Sequence, residues 1–362
     1  MSSTPLAPRG GSAGGDAAGG DAAGGDAASG DAAGGDAAGG NAAGGDAAGG
    51  KAGVAAAVTA GGLGFAASAY LLWGFLPLLF VSLAPSGAVE IVAWRIVLCL
   101  VFCFILLAFT GGWARFIAIA RDRRAVATLA LAAVFILVNW SIFIYAALTG
   151  HVVEAALGYF VNPIFTVLLG VFILRESLRP LQWVAIGVSA VAVVVLAVGY
   201  GSFPWIAVVL AMSFGFYGLV KKRVGTRADA IGGLTIETAI LAPAAVIALV
   251  VIAVGPGLTL GANGVLHTAL LLSVGVATAV PLILFAAAAR RLPLVYLGLV
   301  QYLAPILQLI IGVAVLGEAM PPERWLGFGV VWLALAILTV DLFRHGTRQR
   351  SVAVALGDHV PG

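Results

Sequence analysis

Apolar runs dominate the chain from residue 63 onward, separated by short polar linkers. They cover 63–83, 91–109, 125–148, 153–174, 181–199, 203–220, 231–254, 265–289, 293–316 and 325–343. About 20 residues cross a hydrocarbon layer at about 1.5 Å per residue, so each run is long enough to span it. Lipid offers no partner to the backbone groups of an open strand, so the spans must be helices. The pattern predicts an all-α integral membrane protein with ten transmembrane helices.

The linkers carry a strong charge asymmetry. Those at 110–124, 175–180, 221–229 and 290–292, with the tail from Arg344, hold fifteen Lys and Arg. The alternate linkers at 84–89, 149–152, 200–202, 255–264 and 317–324 hold one, Arg324. Basic residues concentrate on the cytoplasmic side of short membrane loops. Both termini are therefore expected in the cytoplasm of a multi-pass protein of the cell membrane.

The runs also repeat. The stretch EAALGYFVNPIFTVLLGVFILRESLRPLQW from Glu154 aligns without a gap to YLGLVQYLAPILQLIIGVAVLGEAMPPERW from Tyr296, at an offset of 142 residues. That offset pairs Pro163 with Pro305, Gly170 with Gly312, Glu176 with Glu318, Pro180 with Pro322 and Trp183 with Trp325. Such self-similarity reads as a duplicated half. The flanking charges swap, however: Arg175 and Arg179 match Gly317 and Pro321, while Leu148 and Thr149 match Arg290 and Arg291. The expected architecture is two inverted five-helix repeats, 59–200 and 201–343, an arrangement common among transporters. An odd number of spans in each half requires the same inversion.

Composition agrees with membrane residence. The chain is 62% hydrophobic and 10% charged, with mean hydropathy +1.10, against about 25% charged in soluble proteins. The net charge of +3 comes with linker residues that orient the chain, not with an aromatic-basic face, so no nucleic-acid partner is expected. Residues 1–58 begin a low-complexity tail in which DAAGG recurs from Asp16. With almost no large apolar side chain it is expected to be disordered and cytoplasmic, and it lacks the layout of a signal peptide. Residues 344–362 are read as a second cytoplasmic tail. Cys99 and Cys103 sit in one apolar run, where small apolar filler is the simplest reading. No metal site and no cofactor is expected.

Ionisable groups inside spans are costly and are functional candidates by default. Glu90, Arg95, Glu154 and Glu237 qualify. Glu90 and Arg95 are five apart, too far for an i, i+4 pair, so Arg95 should reach another helix or a substrate carboxylate. The competing reading is a structural ion pair or a side chain snorkelling to the interface. Glu237 could answer Lys221 or Lys222. GYFVNP at 158–163 and QYLAP at 301–305 place Tyr159, Asn162, Gln301 and Tyr302 beside a span proline. A proline frees a backbone carbonyl one turn earlier, and broken helices build transporter sites near the midplane. Helix kinks are expected at Pro77, Pro163, Pro281 and Pro305. Trp73 in WGFLP, Asn139 in NWSIF and Tyr217 in SFGFYG are further cavity candidates, although polar groups also simply join helices. The runs 181–199 and 325–343 carry few internal polar groups and should lie at the periphery, against lipid or a second copy in a homodimer.

Taken together, WGFLP, EIVAWR, NWSIF, EAALGYFVNP, LQW, SFGFYGLVKK and LGLVQYLAP resemble the RarD-type branch of the EamA (drug/metabolite transporter) family, over about 60–343. The resemblance implies ten helices from an inverted duplication, a central cavity opening alternately to the two faces, and kinship with permeases named for chloramphenicol sensitivity. It implies that Glu90, Arg95, Asn139, Glu154, Tyr159, Asn162, Gln301 and Tyr302 stand at the branch's recurrent polar positions. The histidine usual before the helix-2 arginine is Trp94 here, so a proton relay through it has no counterpart.

The function expected is a secondary transporter moving a small metabolite or drug-like solute by alternating access. No Walker-type phosphate loop points to ATP; proton coupling through Glu90 or Glu154, facilitated diffusion and exchange all stay open. An intramembrane enzyme is the alternative, for which the span interiors offer no nucleophile and base pair or HExxH motif. A non-transporting scaffold or sensor is a third.

Overall fold

The computed structural model describes residues 60–174, 180–200, 203–224, 227–289, 291–292 and 294–357. Twelve α-helices run in chain order: α1 Ala60–Val81, α2 Ala88–Thr110, α3 Trp113–Arg121, α4 Arg123–Leu148, α5 Val152–Leu174, α6 Pro180–Tyr200, α7 Trp205–Val224, α8 Ala230–Val254, α9 Gly264–Ala289, α10 Leu294–Val300, α11 Leu303–Ile310 and α12 Pro322–Gly357. A π-helical turn, Ile311–Val315, extends α11. Eight helical stretches are long and apolar enough to cross a membrane, and the apolar parts of α6 and α7, Pro180–Val195 and Trp205–Lys221, are shorter. The protein is an all-helical integral membrane protein.

Contacts group all described residues into one unit, Ala33–Gly362. Within it α6 packs on α12, α2 on α8, α5 on α7, α4 on α7, α1 on α9, and α2 on α9. Helices in lipid gain little from the hydrophobic effect, so close backbone approach matters more than apolar area. Gly275 supplies such an approach: a Cβ there would lie 2.6 Å from the Leu98 carbonyl carbon, locking α9 onto α2. Gly158 does the same for α5, where a Cβ would meet the Ala207 oxygen at 2.8 Å. Large apolar side chains such as Phe109, Phe172, Val194, Val254 and Leu333 stay exposed on the outer surface, as a lipid-facing wall requires.

Three local features differ from the simple series of spans. The linker after α2 contains a helix of its own, α3, entered through Gly111 in the left-handed region (φ 64°). Asp122 then ends α3 and caps α4, accepting hydrogen bonds from the backbone N–H groups of Arg124 (2.9 Å) and Ala125 (3.2 Å). The run 293–316 is not one helix but breaks at Gln301–Tyr302. Pro305 has no N–H to give the Gln301 carbonyl four residues back, which accounts for the break falling there. By contrast the chain stays helical through Pro77, Pro163, Pro243 and Pro281. Finally, α12 continues past residue 343 to Gly357 instead of ending at the membrane.

Candidate functional site

The helices enclose a cavity of about 130 Å³, roughly tenfold what one water needs. Side chains from α1, α2, α4, α5, α7, α8, α9, α11 and the α10–α11 break line it; among the described residues none comes from α3, α6, α10 or α12. Helical spacing explains the α4 contribution. Ile136, Asn139, Trp140 and Phe143 follow the i, i+3, i+4, i+7 pattern and share one face. Aromatic rings are the most frequent lining groups, with Arg95, Asn139, Asn162, Gln301 and Gln308 as the strongest polar ones.

Arg95 is 4% exposed. Its Nε donates to Thr278 Oγ1 at 2.9 Å, and that hydroxyl donates to the Val274 carbonyl at 2.7 Å. Its Cζ lies 4.3 Å from the Trp140 ring centre and 5.6 Å from that of Phe80. Nη1 is buried without a hydrogen-bond acceptor. Among the described residues no carboxylate pairs with this guanidinium.

Asn139 bridges three helices. Its Nδ2 donates to the Leu210 carbonyl (3.3 Å) and Ser213 Oγ (3.2 Å) on α7, while Oδ1 accepts from Tyr159 OH on α5 (3.0 Å). Tyr159 in turn meets Phe143 and Phe214 edge-on, at 5.7 and 5.9 Å between centroids. Asn162 and Gln308, each 3% exposed, leave Oδ1 and Oε1 without donors, although Gln308 Nε2 reaches the Trp73 carbonyl at 3.4 Å. Tyr302 stacks on Phe160.

Of the candidates singled out in the sequence, Arg95, Asn139, Tyr159, Asn162, Gln301 and Tyr302 meet at this cavity, together with Trp73 and Tyr217. Glu90 and Glu154 do not line it. Glu90 accepts from Thr259 N–H (2.8 Å) and Thr259 Oγ1 (2.9 Å), tying the start of α2 to the α8–α9 loop. Glu154 accepts from the N–H groups of Ile206 (2.9 Å) and Ala207 (3.4 Å), capping α7. Glu154 thus sits where a helix end presents unpaired N–H groups. Glu318 plays the same part for α5, taking Val152 N–H (2.6 Å) and Val153 N–H (2.9 Å). Glu237, fully buried, pairs with Lys221 Nζ at 2.8 Å and accepts from Tyr217 OH at 3.2 Å.

Thr278 and Gln308 were missed as lining residues. Gln308 had a readable signal, since it falls seven residues after Gln301 and so near the same helical face. Thr278 had none, because a lone threonine in a span usually bonds its own helix, as this one also does.

The EamA-like transporter family matches residues 60–198. Protein RarD of Streptomyces exfoliatus is 48% identical over 293 residues, which is 80% of this chain and 91% of that protein. Protein RarD of Escherichia coli is 37% identical over 286 residues, covering 79% of this chain and 96% of the relative. An uncharacterized transporter of Vibrio cholerae is 38% identical over 289 residues, 80% and 95% of the two chains. A solved crystal structure of a protein aligns with TM-score 0.50 at 18% identity, over 77% of this chain and 97% of that one, a likeness of fold alone. With its cavity walled by the WGFLP, NWSIF, GYFVNP and QYLAP segments, and with these relatives matched nearly end to end, the chain belongs to the RarD branch of the EamA (drug/metabolite transporter) superfamily, a family of integral membrane transporters.

Proposed function

We propose that this protein is a secondary transporter of the cell membrane that moves a small organic solute by alternating access, and is not an enzyme. The observation that carries the reading is the cavity, walled jointly by α1, α2, α4 and α5 from one half and α7, α8, α9 and α11 from the other, with the break at Gln301–Tyr302 in its wall. Broken helices at the meeting of two repeats are where transporters of this kind place their sites.

The ten-span inverted duplication is part of the proposal, and helix boundaries support it. α2 and α8 start at Ala88 and Ala230, 142 residues apart, the offset of the sequence repeat. The packing scheme also maps onto itself when the halves are exchanged: α4 on α7 matches α1 on α9, α5 on α7 matches α1 on α11, and α2 on α9 matches α4 on α8. With both termini cytoplasmic, a cysteine at Gly201 is labelled from outside and one at Gly225 is not; both positions lie outside the described residues. The opposite labelling overturns the orientation.

Arg95, Asn139, Tyr159, Asn162, Gln301 and Tyr302 are the proposed solute contacts, while Glu90 and Glu154 hold helix ends. If protons drive transport, Glu237 is the carboxylate one side chain removed from the cavity, through Tyr217. The exposed apolar faces of α6 and α12 suit lipid or a second copy of the chain. Counterflow of a labelled metabolite library in proteoliposomes tests the function. Solute-dependent exchange that is lost in Arg95→Ala supports it, and no exchange by the intact protein with any member refutes it.

A further inference from the structure

We infer that the cavity is a receptor for an organic monoanion: a carboxylate headgroup held at Arg95, with an apolar body against the aromatic wall. This deepens the transporter reading and rests on it. A buried charge without a partner is costly, and it is tolerated where its counter-ion arrives from outside. Arg95 is such a charge. Its Nε is held by Thr278 and its face by Trp140, so the guanidinium is fixed in place, and its buried Nη1 has no acceptor. A planar fork presented this way matches a carboxylate better than a point cation would.

The rest of the wall fixes the sign and character of the solute. Among the described residues no aspartate or glutamate lines the cavity, so a cationic group entering it finds no counter-charge there, whereas an anion finds one. Trp73, Trp140, Phe143, Tyr159 and Phe214 give an apolar body its surface. The unpaired Oδ1 of Asn162 and Oε1 of Gln308 are acceptors, both 97% buried, and they call for an N–H or O–H donor on that body. One excess negative charge at the head, a ring or short chain, and a neutral donor on the body satisfy all of these groups together.

Three solutes of one skeleton test it: 4-hydroxyphenylacetate, its neutral amide, and the cation tyramine. Binding to the full chain in nanodiscs is read by quenching of tryptophan fluorescence. The anion should bind about 30-fold or more tightly than the amide, as a buried charge pair warrants, and tyramine should bind least. Arg95→Gln should collapse the anion-to-amide ratio to about one, while Arg95→Lys restores part of it. The ratio is measured within each variant, so a variant that merely misfolds loses both ligands and is recognised by its elution profile; Arg95→Lys, which keeps the charge, then carries the test and should retain part of the preference for the anion. Tighter binding of the amide or of tyramine, a ratio untouched by Arg95→Gln, or no binding of the anion overturns the assignment. Library counterflow by the intact protein separates that failure from a failure of transport, since flux of neutral or cationic solutes leaves the transporter standing without its anion.

Discussion

Arg95 and Glu237 occupy the same place in two contacting helices, each the eighth residue of its own, α2 and α8. Both are buried, yet their surroundings differ. Glu237 is answered from within the fold by Lys221 and the Tyr217 hydroxyl. Arg95 has a threonine and an aromatic face, and one nitrogen left over on a cavity wall. A charge balanced internally belongs to the architecture. A charge whose balance is missing belongs to whatever enters. Burial alone does not tell the two apart; the partner does.

The contrast breaks most sharply on stability. Glu237→Gln leaves Lys221 without its anion and should cost about 3 kcal/mol, read as a lower melting midpoint in detergent. Adding Lys221→Met to that variant should recover most of the loss. Arg95→Gln removes an unbalanced charge instead, so its midpoint should match or exceed the wild type while anion binding weakens about 30-fold. A parallel loss of stability in both single variants would erase the distinction. Next in size, Gly275→Val forces α9 away from the Leu98 backbone, at about 2 kcal/mol. Thr278 lies one turn along the same helix, so anion affinity should fall with the midpoint; Gly187→Ala, with open space around it, should change neither. The smallest effect is expected for Trp140→Leu, which removes the ring under Arg95 and should cost about 1 kcal/mol in anion binding without altering selectivity. Titration of tryptophan quenching checks it.

Much of this arrangement was visible in the sequence because lipid leaves few choices. An apolar run of about 20 residues must be a helix, and an amide or phenol within one must face another helix or a cavity, as Asn139, Tyr159 and Gln301 do. Glu90 and Glu154 show where that logic ends. Their cost in a span was real, but their partners are Thr259, through its N–H and hydroxyl, and the N–H groups of Ile206 and Ala207, all distant in sequence. Glu237 was legible down to its candidate cations, and geometry selected Lys221. The break before Pro305 was marked by the proline itself, but Pro77, Pro163 and Pro281 carry the same mark and leave continuous helix, so the mark alone does not single out the broken span. α3 was hidden because its nine residues are amphipathic and too short to register beside the long runs.

The carboxylate of Glu318 has a mechanical consequence. It grips the first two amides of α5 from beyond the π turn that ends the broken span, and Gly312 in that turn abuts Val153 so tightly that a Cβ would sit 2.8 Å from its methyl. The tip of one helix is thereby riveted to the root of another. α11 and α5 also pack on each other, so a displacement of α11 would pull α5 with it, and Tyr159 and Asn162 would follow. Any stroke of the broken span would thus be shared with the neighbouring wall of the chamber.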